Sequence, residues 1–301
     1  MMSSFFSLKN LKKSYILGSL LTIGACIFSI INEALSKKLG GTYGITVLFF
    51  RFFFSTVFFL PFVIARPQIF FTKHMKIHMI RGGIFSVAMI PWCYGIIQLP
   101  LPLVTVLSFT IPLFVIIMAK ILLKEEVGYS RWIATGIGFL GILISVEFSL
   151  HGGNERAIFF AVLATFLFAL LDIVNKKLLI VEEPIVSMMF FSAFWTTIFS
   201  APLALYNWNF PPMSDLLLLM VLGLGANGML ACLLLSFRFC DVSALQPLRY
   251  IEFILSCGVS IVFFHTKPNT ALFIAVMLIV AATFFLSRHE ISKERLDKTQ
   301  Y

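Results

Sequence analysis

Two short stretches of an otherwise charge-poor chain repeat one pattern. NEALSKKL (Asn32 to Leu39) and LDIVNKKL (Leu171 to Leu178) each place an acid, Glu33 or Asp172, four and five residues ahead of two lysines. A third polar group, Gln246, Arg249, Glu252 and Ser256 with Tyr250 beside it, recurs at spacings that put an arginine and an acid on one helical face. Arg51 has no acid three or four residues away on its own segment. Arginine can grip a carboxylate, an acid can hold a cation, and aromatic faces can stack on either a ring or a cation. This is binding chemistry. Neither a G-x-x-x-x-G-K nor an H-E-x-x-H motif occurs, so nothing signals ATP hydrolysis or a zinc centre, and no cofactor is expected. His74 and His78 have the spacing of helical metal ligands, but they stand among Lys73, Lys76 and Arg81 and are expected on a solvated face.

The elements that position these residues follow from composition. The 301 residues are 59% hydrophobic and 12% charged, with 35 phenylalanines, which is too little polar surface to cover a soluble globule. Long continuous apolar runs, rather than alternating ones, indicate membrane-spanning helices, since a bilayer core of about 30 Å needs roughly 20 apolar residues. The expectation is an all-α integral membrane protein with ten transmembrane helices, near 15–36, 43–65, 78–98, 102–123, 131–149, 157–177, 184–206, 215–238, 242–264 and 269–287. It forms a single membrane domain over 1–301 with a cytoplasmic tail at 288–301. The first run is read as a retained helix and not a cleaved signal. Sixteen lysines and arginines fall on the side of the N-terminus and four on the other, which predicts cytoplasmic N- and C-termini. The net charge of +9 then reflects that bias and attraction to anionic membrane lipids, not a nucleic-acid footprint. The five cysteines show no paired motif and are read as reduced packing residues, and Pro91, Pro112 and Pro247 as hinges or helix breaks.

The repeated acid belongs to a larger repeat. A shift of 139 residues lays Glu33 on Asp172, and a shift of 141 lays Phe49-Phe50 on Phe190-Phe191, Ser55-Thr56 on Thr196-Thr197, Pro61 on Pro202 and Gly82 on Gly223. Each half, 15–149 and 157–287, holds five spans. An odd number forces opposite orientations, giving two inverted five-helix repeats, the plan on which alternating access is built.

FFRFFFS in the second span, LLKEEV closing the fourth and QPLRYIEF in the ninth resemble the drug/metabolite transporter superfamily, EamA type, over essentially the whole chain. FFRFFFSTVFFLPFV, VLSFTIPLF, LLDIVNKKLLIVEE and PLRYIEFILS look more narrowly like the S-adenosylmethionine uptake carriers of obligate intracellular bacteria. FFHTKP, with His265 and Thr266, departs from the family pattern of a glycine and a glutamate before the tenth span. The resemblance implies a multi-pass inner-membrane carrier, not an enzyme. Its implied substrate is S-adenosylmethionine, exchanged for S-adenosylhomocysteine, and the alternatives are an exporter of amino acids or other metabolites and a non-transporting scaffold.

For such a substrate the candidate binding or gating residues are Asn32, Glu33, Arg51, Trp92, Tyr94, Asp172, Asn175, Trp195, Gln246, Arg249, Tyr250 and Glu252. Two readings stand side by side for the acids: Glu33 and Asp172 are symmetric gate residues, or they form surface pairs with Lys37 and Lys176 four residues on. Arg249 and Glu252 likewise either bind cargo or neutralise each other. The orientation itself is testable: reporters fused after Lys76 and at the C-terminus should read as cytoplasmic and one after Arg156 as periplasmic. An external reading at either of the first two sites removes the inverted arrangement.

Overall fold

Hydrocarbon offers the backbone no hydrogen bonds, so an apolar run that crosses it must satisfy its own amides as a helix. The computed structural model describes residues 14–43, 46–65, 67–98, 107–146, 155–206, 208, 210–255 and 258, with scattered positions over 274–292. Every regular element among them is helical. The long helices are α1 (Tyr15–Tyr43), α2 (Thr46–Ala65), α3 (Met75–Gln98), α5 (Tyr129–Val146), α6 (Glu155–Ile180), α7 (Ile185–Tyr206) and α8 (Met213–Phe239). Five of the described helices, α1, α2, α6, α7 and α8, are long and apolar enough to cross a bilayer. Large apolar side chains such as Phe53, Phe58, Leu217 and Val221 stand exposed on them, as a lipid-facing surface requires.

The fourth and ninth segments are broken rather than continuous. In the fourth, a turn in which the Thr110 amide donates to the Leu107 carbonyl precedes α4 (Ile111–Met118), with Pro112 in its first turn, where a missing N–H costs nothing. The helix then widens into a π-turn (Ala119–Leu123), which Lys124 ends in the left-handed region at φ 56°. The ninth segment begins as α9 (Val242–Leu245), tightens to a 3-10 turn (Gln246–Tyr250) around Pro247, and continues helically to 255. Phe109 at the first break packs against Tyr250 and Phe253 at the second, with ring centroids 5.5 and 5.8 Å apart.

Helices of the first half pack on helices of the second. α1 lies along α8, α3 along α6, and α2 against both α7 and α8. The contacts are reciprocal under the 141-residue shift. Gly82 admits the Trp195 and Thr196 backbone, and Gly223 admits Phe54 and Ser55 in the same way. The Ser55 hydroxyl donates to Asn227 Oδ1 at 2.5 Å, and the counterpart pair, Ser86 and Thr196, is joined from the Ser86 hydroxyl to the Thr196 carbonyl at 3.5 Å. The hydroxyls of Thr56 and Thr197, counterparts of each other, meet at 3.3 Å.

One expectation needs correction. His78 is not on a solvated face: it is fully buried, with Nε2 3.0 Å from Glu183 Oε1, and the neighbouring Arg81 is also buried and donates to the Met188 carbonyl. The first turn of α3 is tucked beneath the α6–α7 connection, a partner that spacing within α3 cannot reveal. Residues 288–292, at the start of the expected tail, are helical, with Glu290 buried. The spans placed at 102–123, 242–264 and 269–287 are described only from 107, up to 255 and at 258, and at scattered helical positions, respectively. Cys93, Ser256, Cys257, His265 and Thr266 lie outside the described side chains.

A Cβ at Gly223 would stand 2.8 Å from the Arg51 carbonyl oxygen, whereas one at Gly136 would meet nothing within 4 Å. Gly223→Val and its counterpart Gly82→Val should therefore each lose about 1–3 kcal/mol to overpacking and lower the melting temperature in detergent, with Gly136→Ala near wild type. A melting temperature unchanged at both glycines would contradict the close approach.

Candidate functional site

A buried ion pair within the second half joins Arg249, at the end of the 3-10 turn, to Asp172 on α6. Nη1 donates to Oδ2 at 2.6 Å, with the acid side chain 7% and the arginine 23% exposed. In a low-dielectric interior the attraction is large, but so is the cost of desolvating both ions, so such a pair is kept only where both partners stay in place. The direct ion pair of Arg249 is thus made across helices to Asp172, not to Glu252 within its own segment. Glu252 faces the Ser29 hydroxyl on α1, with Cys26 beside it. Among the described ion pairs none joins Glu252 to a base. The cavity between them, lined by Thr22, Cys26, Ser29, Met229, Arg249 and Glu252, measures about 30 Å³, room for about one water. Arg249 therefore meets two acids, Asp172 in a direct ion pair and Glu252 across the small cavity, which Glu252 lines and Asp172 does not.

The surface pair between Asp172 and Lys176 also gives way. Asp172 is buried, and Lys176 donates instead to the carbonyls of Phe237 and Cys240 at 2.5 and 2.7 Å. Those carbonyls lie at the C-terminal end of α8, where the helix has no further amides to offer and the dipole favours a cation. The Glu33 and Lys37 side chains lie outside the described residues.

The remaining candidates scatter around this cluster. Asn32, 2% exposed, packs against Gly225 of α8 and has no hydrogen-bond partner at either amide atom. Asn175 and Gln246 are buried. Gln246 donates to the Val242 carbonyl at 3.3 Å, and its Oε1, like Asn175 Oδ1, has no partner. The Tyr250 hydroxyl donates to the Thr135 carbonyl at 3.2 Å, which ties its ring in place against Phe109. Trp92 stands edge-on to Phe168, Tyr94 to Phe160 and Trp195 flat on Phe199, three separate packing sites. Arg51 lies 5.5 Å from the Phe52 ring centroid. A larger cavity of about 280 Å³ lies elsewhere, walled by Leu48, Ile90, Phe199, Pro202, Leu203 and Tyr206, with serines as its polar groups. It offers nothing to an ionic ligand.

A second ionic network escaped the sequence reading. Glu125, just past the left-handed Lys124, accepts from the Val242 and Ser243 amides at 3.1 Å each and from the Ser243 hydroxyl at 2.6 Å, capping α9 from a distant segment. Arg131 donates to both Glu290 oxygens at 2.8 and 3.2 Å, to Asp241 at 3.2 Å and to the Ser243 hydroxyl at 2.8 Å. Together these residues clamp the α4–α5 connection to the start of α9 and to Glu290. The only signal in the sequence was the acid pair inside LLKEEV, and nothing local to it names the partners.

The model of the EamA-like transporter family matches the chain twice, at residues 16–146 and 155–288. S-adenosylmethionine uptake transporters of Rickettsia bellii (strain RML369-C) and Rickettsia prowazekii (strain Madrid E) are each 35% identical over 276 residues. That alignment covers 91% of this chain and 94% and 93% of theirs. A riboflavin transporter of Rhizobium johnstonii is 25% identical over 277 residues, 91% of this chain and 90% of that one. One solved crystal structure superposes with a TM-score of 0.76 at 17% identity, covering 90% of this chain and 98% of its own, which establishes a shared fold.

Removing Arg249 leaves Asp172 and Glu252 uncompensated, at roughly 3–5 kcal/mol for a broken buried pair, whereas removing Asp172 leaves Arg249 with Glu252. Arg249→Met should lower thermal stability in detergent markedly, Asp172→Asn less, and the double variant should regain part of the Arg249→Met loss. Losses that simply add would show that the 2.6 Å contact carries little coupling.

Proposed function

The chain belongs to the EamA-like transporter family, and from that premise we propose that it takes up S-adenosylmethionine across a bacterial inner membrane by alternating access. That it is a multi-pass membrane transporter follows from the family and from its apolar helices. The cargo is the proposal, and one observation carries it: Asp172 and Glu252 together face a single arginine in a buried site. S-adenosylmethionine carries a carboxylate, an ammonium and a sulfonium, one positive charge in excess. Its carboxylate can take Arg249 from Asp172, while the ammonium and sulfonium lie between Asp172 and Glu252, so a cluster with one acid too many becomes neutral when loaded. Riboflavin, for which other relatives are named, has a neutral polyol and ring, for which a buried ionic triad offers nothing and costs desolvation.

The transport cycle draws support from the architecture. Reciprocal contacts under the 141-residue shift and the meeting Thr56 and Thr197 hydroxyls fit two inverted repeats of five helices, 15–149 and 157–287, exchanging roles about an axis between them. Breaks at a proline in the fourth and ninth segments fit a site at the interface of the repeats, where irregular backbone can face cargo. The clamp of Glu125 and Arg131 stands at the end that the distribution of basic residues assigns to the cytoplasm, so a cavity of about 30 Å³ corresponds to a carrier closed on that side without cargo. Trp92, Tyr94 and Trp195 are too dispersed to form one aromatic cage in this closed form, and Tyr250 is the aromatic nearest the charges.

Cells expressing the chain should accumulate labelled S-adenosylmethionine, and S-adenosylhomocysteine loaded into vesicles should accelerate its entry. Glu252→Gln should remove the preference for the sulfonium over the uncharged thioether, weakening S-adenosylmethionine tenfold or more relative to S-adenosylhomocysteine. Absence of uptake by the unaltered chain sinks the cargo assignment; uptake without acceleration removes only the exchange partner.

A further inference from the structure

Asn32 sits three residues beyond Ser29 on the face of α1 that carries Cys26 and Ser29 into the cavity with Arg249 and Glu252. A step of three residues advances about 4.5 Å along a helix, one turn further up the same face. The side chain is 2% exposed, and neither Nδ2 nor Oδ1 has a hydrogen-bond partner among the described residues. A buried carboxamide left wholly unpaired is rare and costly, and in a functional interior it marks a place where another molecule supplies the bonds. The polar neighbour on α8 cannot supply them. Asn227 is engaged by Ser55, accepting from its hydroxyl at 2.5 Å and donating to its carbonyl at 3.2 Å. Facing Asn32 is Gly225, where a Cβ would stand 2.8 Å from Oδ1, so the lack of a side chain at this position is what lets the amide lie against α8.

A carboxamide offers one donor and one acceptor side by side in a plane. That is the complement of the Hoogsteen edge of adenine, whose N6 amino group donates and whose N7 accepts. We propose that Asn32 reads the base of the cargo, with Oδ1 accepting from N6 and Nδ2 donating to N7. The assignment rests on the cargo reading above and adds to it a specificity for 6-aminopurines. The base stacks one turn beyond Ser29, leaving the sulfonium at Glu252 and the carboxylate at Arg249, so the three recognition points follow the order of the cargo's own atoms. Replacing the 6-amino group by an oxo group, as in hypoxanthine, puts two acceptors face to face and breaks the match.

The experiment is competition against labelled S-adenosylmethionine uptake by three unlabelled compounds: S-adenosylhomocysteine, its deaminated counterpart S-inosylhomocysteine, and S-methylmethionine, a sulfonium amino acid with no base. The unaltered chain should prefer the adenosyl over the inosyl compound by roughly tenfold or more, the range of one bidentate amide–adenine match. Asn32→Leu should collapse that ratio to within about twofold while leaving inhibition by S-methylmethionine at its wild-type level. Gly225→Ala, whose methyl group displaces the Asn32 amide, should do the same, and it keeps the test open where Asn32→Leu does not reach the membrane folded. An unaltered chain that transports S-adenosylmethionine but treats the two bases alike overturns the proposal and leaves the cargo reading standing, as does a transporting Asn32→Leu or Gly225→Ala variant with the wild-type ratio. An unaltered chain that takes up no S-adenosylmethionine overturns the cargo reading, and the base assignment falls with it.

Discussion

An arginine can stay inside a low-dielectric helix bundle only while an acid stays beside it, and most of what is specific about this chain follows from where that acid comes from. Arg249 draws Asp172 from another helix of the same half, 77 positions earlier in the sequence, at 2.6 Å. The ninth segment is thereby tied to α6, and α6 in turn packs on α3. Glu252, one helical turn beyond Arg249, falls against Ser29 on α1 and brings that helix into the same site. One ion pair thus fixes three elements around a common point. The local backbone agrees with it: the 3-10 turn at Gln246–Tyr250 changes the pitch immediately before the arginine is presented.

The rest of the interior is arranged so that two similar halves can press closely on each other. Glycine at 82 and 223 lets each half receive the backbone of the other at matching positions, and a hydroxyl-to-amide pair on one side answers a hydroxyl-to-carbonyl pair on the other. The match is not perfect. Ser55 faces an asparagine where Thr196 faces a serine, and the acid at 172 has an arginine partner placed by a segment of the second half only. Two halves that were identical would have equal energies in their exchanged forms. Such differences are what can make one closed form preferred, since the equilibrium between two packings follows only the contacts in which they differ.

The apolar runs, the repeat and the breaks at Pro112 and Pro247 were legible in the sequence because each is written in consecutive residues or in a constant offset, whereas α3 runs unbroken through Pro91. Asp172 and Arg249 were legible as chemically expensive residues, but not as partners. Nothing in the stretch between them, a separation of 77 positions, encodes that α6 and the ninth segment meet. The same holds for His78, whose Glu183 lies 105 positions away, and for Arg131 with Glu290 at 159. For Asp172 local spacing offered Lys176 as a partner, because i to i+4 rules describe an isolated helix and buried charges are settled by tertiary contacts. Glu125 was hidden for a different reason: it caps a helix that starts more than a hundred residues later, whereas sequence rules look for a cap immediately before the helix.

The position of that cap links the closed end of the bundle to the charge site. Glu125 and Arg131 hold Ser243, and Ser243 lies six residues before Arg249 on α9 and the 3-10 turn that follows it directly. A short segment that begins at the clamp and ends at the ion pair has little freedom to adjust at one end alone. Pro247 between them fixes φ and removes one amide, so the 3-10 turn is where bending is easiest. Opening the clamp would uncap α9 and free its first turn, and the displacement would reach Arg249 across that single weak point. Conversely, a carboxylate that draws Arg249 away from Asp172 pulls on the same turn from the other side. Coupling between an occupied site and a closed end needs one element whose position both can bias, and in this chain the segment from Asp241 to Glu252 touches both.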